Sequence, residues 1–183
     1  MSDKDTSVKY FEPPVYISES DIKARVRELA AKINAEYGST PLTLICTLKG
    51  SIVFFTDLIR HLKMPVICEF LGMSSYGNQT KTTGEVKVTL DLNEPLTGKH
   101  VLIVEDIVDS GLTLFFVQDY LRARKPLTIK TVSLLFKPEA LKAKDLKIDY
   151  VGFEIKNQFV VGYGLDYAEK FRGLPYIGVL NEY

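Results

Sequence analysis

The sequence has 183 residues, and its 23 Lys and Arg balance its 23 Asp and Glu, so the formal net charge is zero. Hydrophobic residues make up 46% and charged residues 25%, a composition typical of a globular domain with a core and not of a disordered chain. No apolar run approaches the ~18 residues of a membrane span, and zero net charge argues against a generally basic nucleic-acid-binding protein.

We expect a single domain over residues 1–183, because this length is typical of one compact unit. The first residues, about 1–15, are read as a polar N-terminal arm without the apolar segment of a secretory leader. Cys46 and Cys68 lie within apolar stretches and are too few for a disulfide framework or a metal cluster. These features predict a cytoplasmic protein.

The N-terminal half begins with an amphipathic helix. Apolar residues at helical spacing predict a helix over 21–37, with Ser20 as its N-cap and Gly38 at its end. The next predicted elements are, in chain order, a strand at 42–47, a helix at 51–62 and strands at 66–70 and 86–90.

The segment 74–84 between the last two of these strands contains no aliphatic residue. Such a segment has little to bury, so we predict a mobile surface loop. Because long loops without secondary structure are usually functional in compact domains, the loop is interpreted as a lid over a ligand site.

The C-terminal half alternates apolar strands with a helix. Strands are predicted at 100–104, 128–136, 150–155 and 159–163, and a helix at 113–124. This alternation indicates an α/β fold with a mainly parallel sheet flanked by helices. Ligands bind beyond the carboxyl ends of such strands, so the chemistry is expected just after Thr47, Val104, Phe136 and Tyr163.

The segment after the strand at 100–104 has a pattern that points to chemistry. Glu105 and Asp106 follow the strand directly, and adjacent carboxylates there suit the hydroxyls of a sugar or a Mg²⁺ ion. The turn from Asp109 to Thr113 places N–H groups and hydroxyls at the start of a helix, which suits a phosphate. On spacing alone, the same turn is also typical of a capped loop without function.

Other catalytic motifs are missing from the sequence. It contains no P-loop, no complete dinucleotide-binding fingerprint, no Gly-x-Ser-x-Gly elbow and no zinc-type spacing of His and Cys. Hydrolase, dehydrogenase and zinc-enzyme readings are therefore disfavoured.

The segment Glu105-Asp-Ile-Val-Asp-Ser-Gly-Leu-Thr113 resembles the phosphoribosyl pyrophosphate (PRPP) signature of the type I phosphoribosyltransferases. Five further segments occur in family order: Leu48-Lys-Gly50, Ser75-Tyr-Gly77, Lys137 after Ser133-Leu-Leu-Phe136, residues 159–167, and Lys170-Phe-Arg172. Over roughly residues 15–180 the chain is similar to the hypoxanthine-guanine phosphoribosyltransferases.

This resemblance implies a parallel sheet flanked by helices, with a small hood over the base site. It implies a Mg²⁺-dependent purine salvage enzyme of the cytoplasm that transfers 5-phosphoribosyl from PRPP to N9 of hypoxanthine or guanine. The products would be IMP or GMP and pyrophosphate. It also implies a homodimer or homotetramer, with the Lys49 loop near a subunit contact.

The resemblance assigns roles to individual residues. Asp109 is implied as the general base, and Ser75 and Tyr76 as part of the lid. The residues implied for ribose and 5′-phosphate are Glu105, Asp106, Asp109, Ser110, Gly111, Leu112 and Thr113, and those for pyrophosphate are Lys49, Gly50 and Arg172. The purine is assigned to Lys137, Phe159, Val160 and Asp166, and the metal to Glu105, Asp106 and Asp166. Because some family members carry Lys where this chain has Leu112, backbone amides and hydroxyls are left to bind the phosphate.

Two alternatives are weighed against this reading. One is a regulator that binds nucleic acid, since residues 121–147 contain eight Lys and Arg but only Glu139 and Asp145. A solvated surface explains that bias more simply, and a regulator would not need the lid, base and cations together. The other is a xanthine-preferring or pyrimidine enzyme, against which Lys137 and Phe159 in their family contexts favour a 6-oxopurine.

Overall fold

The computed structural model describes residues 12–75, 86–143 and 145–180. The strands are β1 (Val15–Ile17), β2 (Leu42–Leu48), β3 (Val66–Ser75), β4 (Val86–Leu90), β5 (His100–Val108), β6 (Thr128–Phe136), β7 (Tyr150–Glu154), β8 (Val160–Val161) and β9 (Ile177–Val179). The α-helices are α1 (Glu19–Tyr37), α2 (Ile52–Ile59) and α3 (Leu112–Arg122), and a 3₁₀ turn spans Pro138–Ala140. Among the described residues, no helix is both long and apolar enough to cross a membrane.

The main sheet has six strands in the order β4-β3-β2-β5-β6-β7. Neighbouring strands from β3 to β7 are parallel, and only the edge strand β4 runs antiparallel to its neighbour β3. This arrangement confirms the predicted α/β fold with a mainly parallel sheet. The parallel strands end together, which creates the edge where the functional residues were expected.

Helices cover both faces of this sheet. Alternate residues of β5 point to opposite faces, so Leu102 and Val104 pack in one apolar cluster and Val101 and Ile103 in another. The first cluster includes the buried faces of α1 and α2, and the second includes that of α3. Burial on both sides explains why these strands read as continuous apolar runs in the sequence.

A second, smaller sheet has the order β1-β9-β8 and is antiparallel. It pairs Val15 with Gly178 and Val160 with Val179. The sequence did not predict β1 or β9, and the strand predicted at 159–163 is only the two residues of β8. The backbone leaves the extended region at Gly162 (φ +98°) and Tyr163 (φ +50°), which ends the strand there.

Several predicted boundaries differ from those of the structure. Ser18, and not Ser20, caps α1, because the Ser18 side chain accepts a hydrogen bond from the Asp21 N–H at 3.1 Å. Gly38 ends the helix, as predicted. Strand β5 continues to Val108, four residues past its predicted end, so Glu105 and Asp106 lie within the strand.

Candidate active site

A cleft of about 750 Å³ lies at the carboxyl ends of β2, β5 and β6. The predicted site residues that line it are Lys49, Gly50, Glu105, Asp106, Asp109, Ser110, Gly111, Thr113, Lys137, Phe159, Val160, Asp166 and Arg172. Leu112 is not among the lining residues, and its side chain is 52% exposed. In the predicted lid, Ser75 is the last residue of β3, and Tyr76 lies outside the described residues.

The two acids at the end of β5 are held in a largely buried environment. Glu105 is 7% exposed, and its Oε2 accepts a hydrogen bond from the Thr47 hydroxyl at 2.7 Å. Its other oxygen, Oε1, is buried and has no hydrogen-bond partner within the described part of the chain. Burial, reinforced by the neighbouring charge of Asp106, raises the pKa of Glu105 to about 8.

Asp106 lies against the loop that follows β2. Its Oδ1 accepts a hydrogen bond from the Ile107 N–H at 2.8 Å, and burial raises its pKa to about 6. A side chain at Gly50 would overlap the Asp106 carboxylate, so the close approach requires a glycine. The adjacent Leu48–Lys49 peptide bond is cis.

The turn after β5 leads into α3 at the floor of the cleft. Gly111 precedes the helix with φ +77°, and a Cβ there would lie 2.7 Å from the side chains of Leu141 and Leu146. The Ser110 hydroxyl accepts a hydrogen bond from the Leu112 N–H at 3.5 Å. The cleft therefore includes a helix N-terminus with hydroxyl groups beside it, an arrangement that attracts anions.

Lys137 and Asp109 form an ion pair inside the cleft. Lys137 follows β6, its side chain is 7% exposed, and its Nζ donates a hydrogen bond to Asp109 Oδ2 at 2.7 Å. The Asp109 side chain is 53% exposed. A buried ammonium needs a counter-charge, and Asp109 supplies it. Two residues assigned to different roles, purine recognition and proton transfer, are thus in direct contact.

A second set of charges lines the same cleft. Lys49 Nζ is 3.1 Å from Glu169 Oε1, and Arg172 Nη2 is 2.8 Å from Asp166 Oδ1 and 3.4 Å from Glu169 Oε2. Arg172 Nη1 also donates a hydrogen bond to the Gly164 carbonyl at 2.8 Å. The hydrogen bond from Lys49 lowers the pKa of Glu169.

Two residues of the site region were missed by the sequence reasoning. Glu169 lies between two of the family-like segments, and that position was the only signal for it. Tyr163 is buried with a left-handed backbone, and its hydroxyl donates a hydrogen bond to Asp57 Oδ2 on α2 at 2.6 Å. This bond ties the loop that carries Gly164 to the helix that follows the Lys49 loop.

The cleft is open to solvent on the side of Phe159. Phe159 is 52% exposed and meets Tyr167 edge to face, with ring centroids 5.6 Å apart and planes at 85°. An exposed ring face beside Lys137 and Val160 can stack on a planar ligand.

The three acids assigned to a metal do not form a protein-only cage. Within the described ranges, no group of three or more His, Cys, Asp or Glu side chains is arranged to hold a metal ion. Asp166 is instead engaged by Arg172, while Glu105 keeps one oxygen without a partner.

Three features are together typical of a phosphoribosyltransferase. They are the parallel sheet, the acids Glu105 and Asp106 of β5, and the anion-binding turn from Asp109 to Thr113 at the start of α3. Residues 18–168 match the phosphoribosyl transferase domain family, and the chain belongs to that family, in its hypoxanthine-guanine branch. The family expected from the sequence is therefore confirmed.

Individual relatives indicate the same branch of the family. The chain is 51% identical over 167 residues to the hypoxanthine-guanine phosphoribosyltransferase of Bacillus subtilis, covering 91% of this chain and 92% of that one. It is 41% identical over 168 residues to the hypoxanthine-guanine-xanthine phosphoribosyltransferase of Tritrichomonas foetus, covering 92% and 91%. A crystal structure of a hypoxanthine-guanine phosphoribosyltransferase from Bacillus anthracis has a TM-score of 0.88 and 48% identity, covering 93% of this chain and 100% of that chain.

Proposed function

We propose that this chain transfers 5-phosphoribosyl from PRPP to N9 of hypoxanthine or guanine, giving IMP or GMP and pyrophosphate. The observation that carries the proposal is the Lys137–Asp109 pair, which lies in one cleft with the anion-binding turn and the cations Lys49 and Arg172. In this proposal the turn and the two cations are the anion sites of the cleft, and Lys137 is its base-recognition group.

The reaction requires these residues to bind the 5′-phosphate, the pyrophosphate and the ribose. Its transition state has oxocarbenium character, with negative charge moving onto the departing pyrophosphate. The turn from Ser110 to Thr113 would hold the 5′-phosphate, and Lys49 and Arg172 would bind the pyrophosphate. Glu105 and Asp106 would accept hydrogen bonds from the ribose hydroxyls, which fixes the sugar for attack.

The purine would be recognised through Lys137. Its ammonium has three donors, so one can remain on Asp109 while another donates to the 6-oxo group of hypoxanthine or guanine. Adenine carries an amino group at that position and offers no acceptor. Phe159 would stack on the ring, and the backbone of Val160 and Asp166 would contact the base edge.

Asp109 would act as the general base near N7 of the purine. Its side chain is about half exposed, so a bound base can reach it without rearrangement of the core. Closure of a lid that includes Ser75 and Tyr76 would exclude water, which protects the cationic sugar from hydrolysis.

The acids at the end of β5 fit Mg²⁺ as the metal ion. Glu105 offers a buried oxygen that has no partner among the residues the structure describes, and Mg²⁺ prefers carboxylate oxygen, water and substrate phosphates over an all-protein cage. Glu105, Asp106 and Asp166 would hold it, and the bound ion would neutralise charge on the pyrophosphate. Excess chelator should abolish turnover and added Mg²⁺ should restore it; turnover in excess chelator would contradict the assignment.

A cytoplasmic homodimer or homotetramer completes the proposal. Ile52 begins α2 just after the Lys49 loop and is 36% exposed, and Phe70 on β3 is also 36% exposed. The Phe70 ring lies 5.6 Å from that of Phe55, one turn along α2 from Ile52. Neighbouring exposed apolar side chains favour self-association. Light scattering should show a dimer or tetramer, and the double variant Ile52→Glu/Phe70→Glu should shift it toward monomer.

A parallel assay with hypoxanthine, guanine, xanthine, adenine and uracil, each with PRPP and Mg²⁺, tests the activity. Transfer to hypoxanthine and guanine but not to adenine or uracil is expected. Xanthine is the second candidate substrate, because the Tritrichomonas relative is named for it. Salt-dependent RNA or DNA binding without any phosphoribosyl transfer would overturn the proposal in favour of a nucleic-acid-binding regulator.

A further inference from the structure

The two cations assigned to pyrophosphate share one carboxylate. Lys49 Nζ lies 3.1 Å from Glu169 Oε1 and 3.2 Å from its Oε2, and Arg172 Nη2 lies 3.4 Å from Oε2. Both oxygens of Glu169 are therefore directed at the groups that would bind a substrate anion.

The contact of Glu169 with the two cations can be replaced by a contact with a bound anion. Lys49 and Glu169 are 69% and 68% exposed, and solvent screens an exposed ion pair, so this pair contributes little to stability. Arg172 is only 27% exposed and is also held by Asp166 and the Gly164 carbonyl, so it stays in place when Glu169 leaves. A pyrophosphate group, with more charge and more acceptor oxygens than one carboxylate, can displace Glu169 from both cations.

The backbone around Glu169 has no evident structural reason to place a glutamate there. Reciprocal hydrogen bonds between Tyr167 and Lys170 close a two-residue turn, at 3.2 and 3.0 Å. Its central residues, Ala168 (φ +50°) and Glu169 (φ +63°), have the left-handed backbone of a type I′ turn. That turn favours Asn and Gly and makes side chains such as Glu costly. The turn therefore gives no reason for a glutamate at position 169, whereas the contacts of its carboxylate with Lys49 and Arg172 do.

We propose that the Glu169 carboxylate takes the place of the substrate anion while no substrate is bound. It occupies the pyrophosphate subsite in the free enzyme, leaves when PRPP binds, and returns to the cations as pyrophosphate departs. By competing with pyrophosphate for Lys49 and Arg172, it weakens product binding and favours release. The inference rests on the proposed function, since it takes these two cations as the pyrophosphate site.

The test is the affinity of the full-length enzyme for pyrophosphate in the presence of Mg²⁺, measured by isothermal titration calorimetry. Glu169→Gln keeps the size of the side chain and removes its charge, so it should lower the Kd for pyrophosphate by about two- to fivefold, as expected for loss of an exposed competitor. The KM for PRPP should fall in parallel, and the KM for hypoxanthine should not change. An unchanged or higher Kd in Glu169→Gln overturns the proposal.

A general gain in positive charge would also favour an anion, so two controls are needed. Glu139→Gln removes an acid that follows Lys137 and contacts neither cation, and it should leave the Kd unchanged. In a double-mutant cycle, the gain from Glu169→Gln should shrink in a Lys49→Ala background, because that lysine makes the shorter contacts with Glu169 and only the 3.4 Å contact with Arg172 remains. An equal gain in both backgrounds overturns the direct mechanism.

The same variants separate this inference from the proposed function. Lys49→Ala and Arg172→Ala should each weaken pyrophosphate binding. If neither does, the pyrophosphate subsite itself is wrongly assigned. If both do and Glu169→Gln has no effect, only the role of Glu169 is refuted.

Discussion

Lys137 Nζ lies 2.7 Å from Asp109 Oδ2, which joins the residue proposed to recognise the purine to the residue proposed to take its proton. They come from different parts of the fold, Lys137 from the end of β6 and Asp109 from the turn after β5. Because Lys137 is almost fully buried and Asp109 is half exposed, the lysine depends on this carboxylate more than the reverse. Substitutions of Lys137 and of Asp109 should therefore have different kinetic effects.

Asp109→Asn should lower kcat by about a hundredfold or more, because general acid–base catalysis typically contributes 10²–10⁴-fold. The amide oxygen of asparagine can still accept the hydrogen bond from Lys137, so the Kd for PRPP should stay within about threefold. Steady-state kinetics and a PRPP titration measure the two effects. Asp119→Asn, on the exposed surface of α3, is the matched control. Unchanged turnover in Asp109→Asn would remove its role as the base.

Lys137→Ala should raise the KM for hypoxanthine by about tenfold or more, because a lost hydrogen bond from a charged donor costs roughly 1.5–3 kcal/mol. The KM for PRPP should change little. Lys23→Ala, on the exposed face of α1, should affect neither value. Equal effects of Lys137→Ala on both substrates would contradict recognition of the 6-oxo group.

Glu105→Gln should stabilise the folded protein much more at pH 8 than at pH 5. Burial raises the folded-state pKa of Glu105 to about 8, from 4.5, so the native state binds more protons than the unfolded state between these values. The wild type therefore loses stability as the pH rises from about 4.5 to 8, and glutamine removes that loss. The expected gain at pH 8 is about 2–4 kcal/mol.

Thermal unfolding of wild type and Glu105→Gln at both pH values checks this sign. The difference in Tm should be large at pH 8 and small at pH 5. A constant difference at the two pH values would mean that packing, and not ionisation, separates the variants.

Tyr163→Phe should lower the free energy of unfolding by about 1.5–3 kcal/mol, the range for loss of a hydrogen bond to a charged group. Burial and the Asp57 carboxylate both raise the pKa of Tyr163, so the hydroxyl remains a donor at neutral pH. Because the adjacent Gly164 carbonyl holds Arg172, the KM for PRPP should rise more than that for purine. Asp57→Asn, which keeps an acceptor, should have a milder effect, and Tyr16→Phe on the exposed N-terminal strand should have none. An unchanged KM for PRPP in Tyr163→Phe would limit the bond to a structural role.

The central strands were predictable because their burial on both sheet faces makes them continuous apolar runs. The predicted bounds of β4 and β6 match the structure, and β2 is one residue longer. Strand β5 was cut short because Glu105 and Asp106 are charged, and charged residues rarely lie in a buried strand. The Thr47 hydroxyl, which comes from the neighbouring strand, makes Glu105 tolerable there, and no local pattern reveals that contact.

Non-local contacts explain the remaining misses. Strands β1 and β9 have three residues each and pair across almost the whole chain, so neither has a periodicity to detect. Glu169 and Lys49 are 120 positions apart, and Tyr163 and Asp57 are 106 apart. The family-like segments predicted which residues would line the cleft, but only the fold reveals that Lys49, Lys137 and Arg172 are already paired with carboxylates.

The close packing around Gly50 links three distant segments of the chain. A side chain at position 50 would overlap the Asp106 carboxylate, and one at Gly164 would overlap the Gly50 carbonyl. Position 50 can therefore accept a side chain only if the Asp106 carboxylate moves or is replaced, whereas a side chain at position 164 requires a shift of the Gly50 backbone. In gene shuffling between this enzyme and a relative, crossovers that separate these positions should yield active chimaeras only when both parents share this glycine-lined contact.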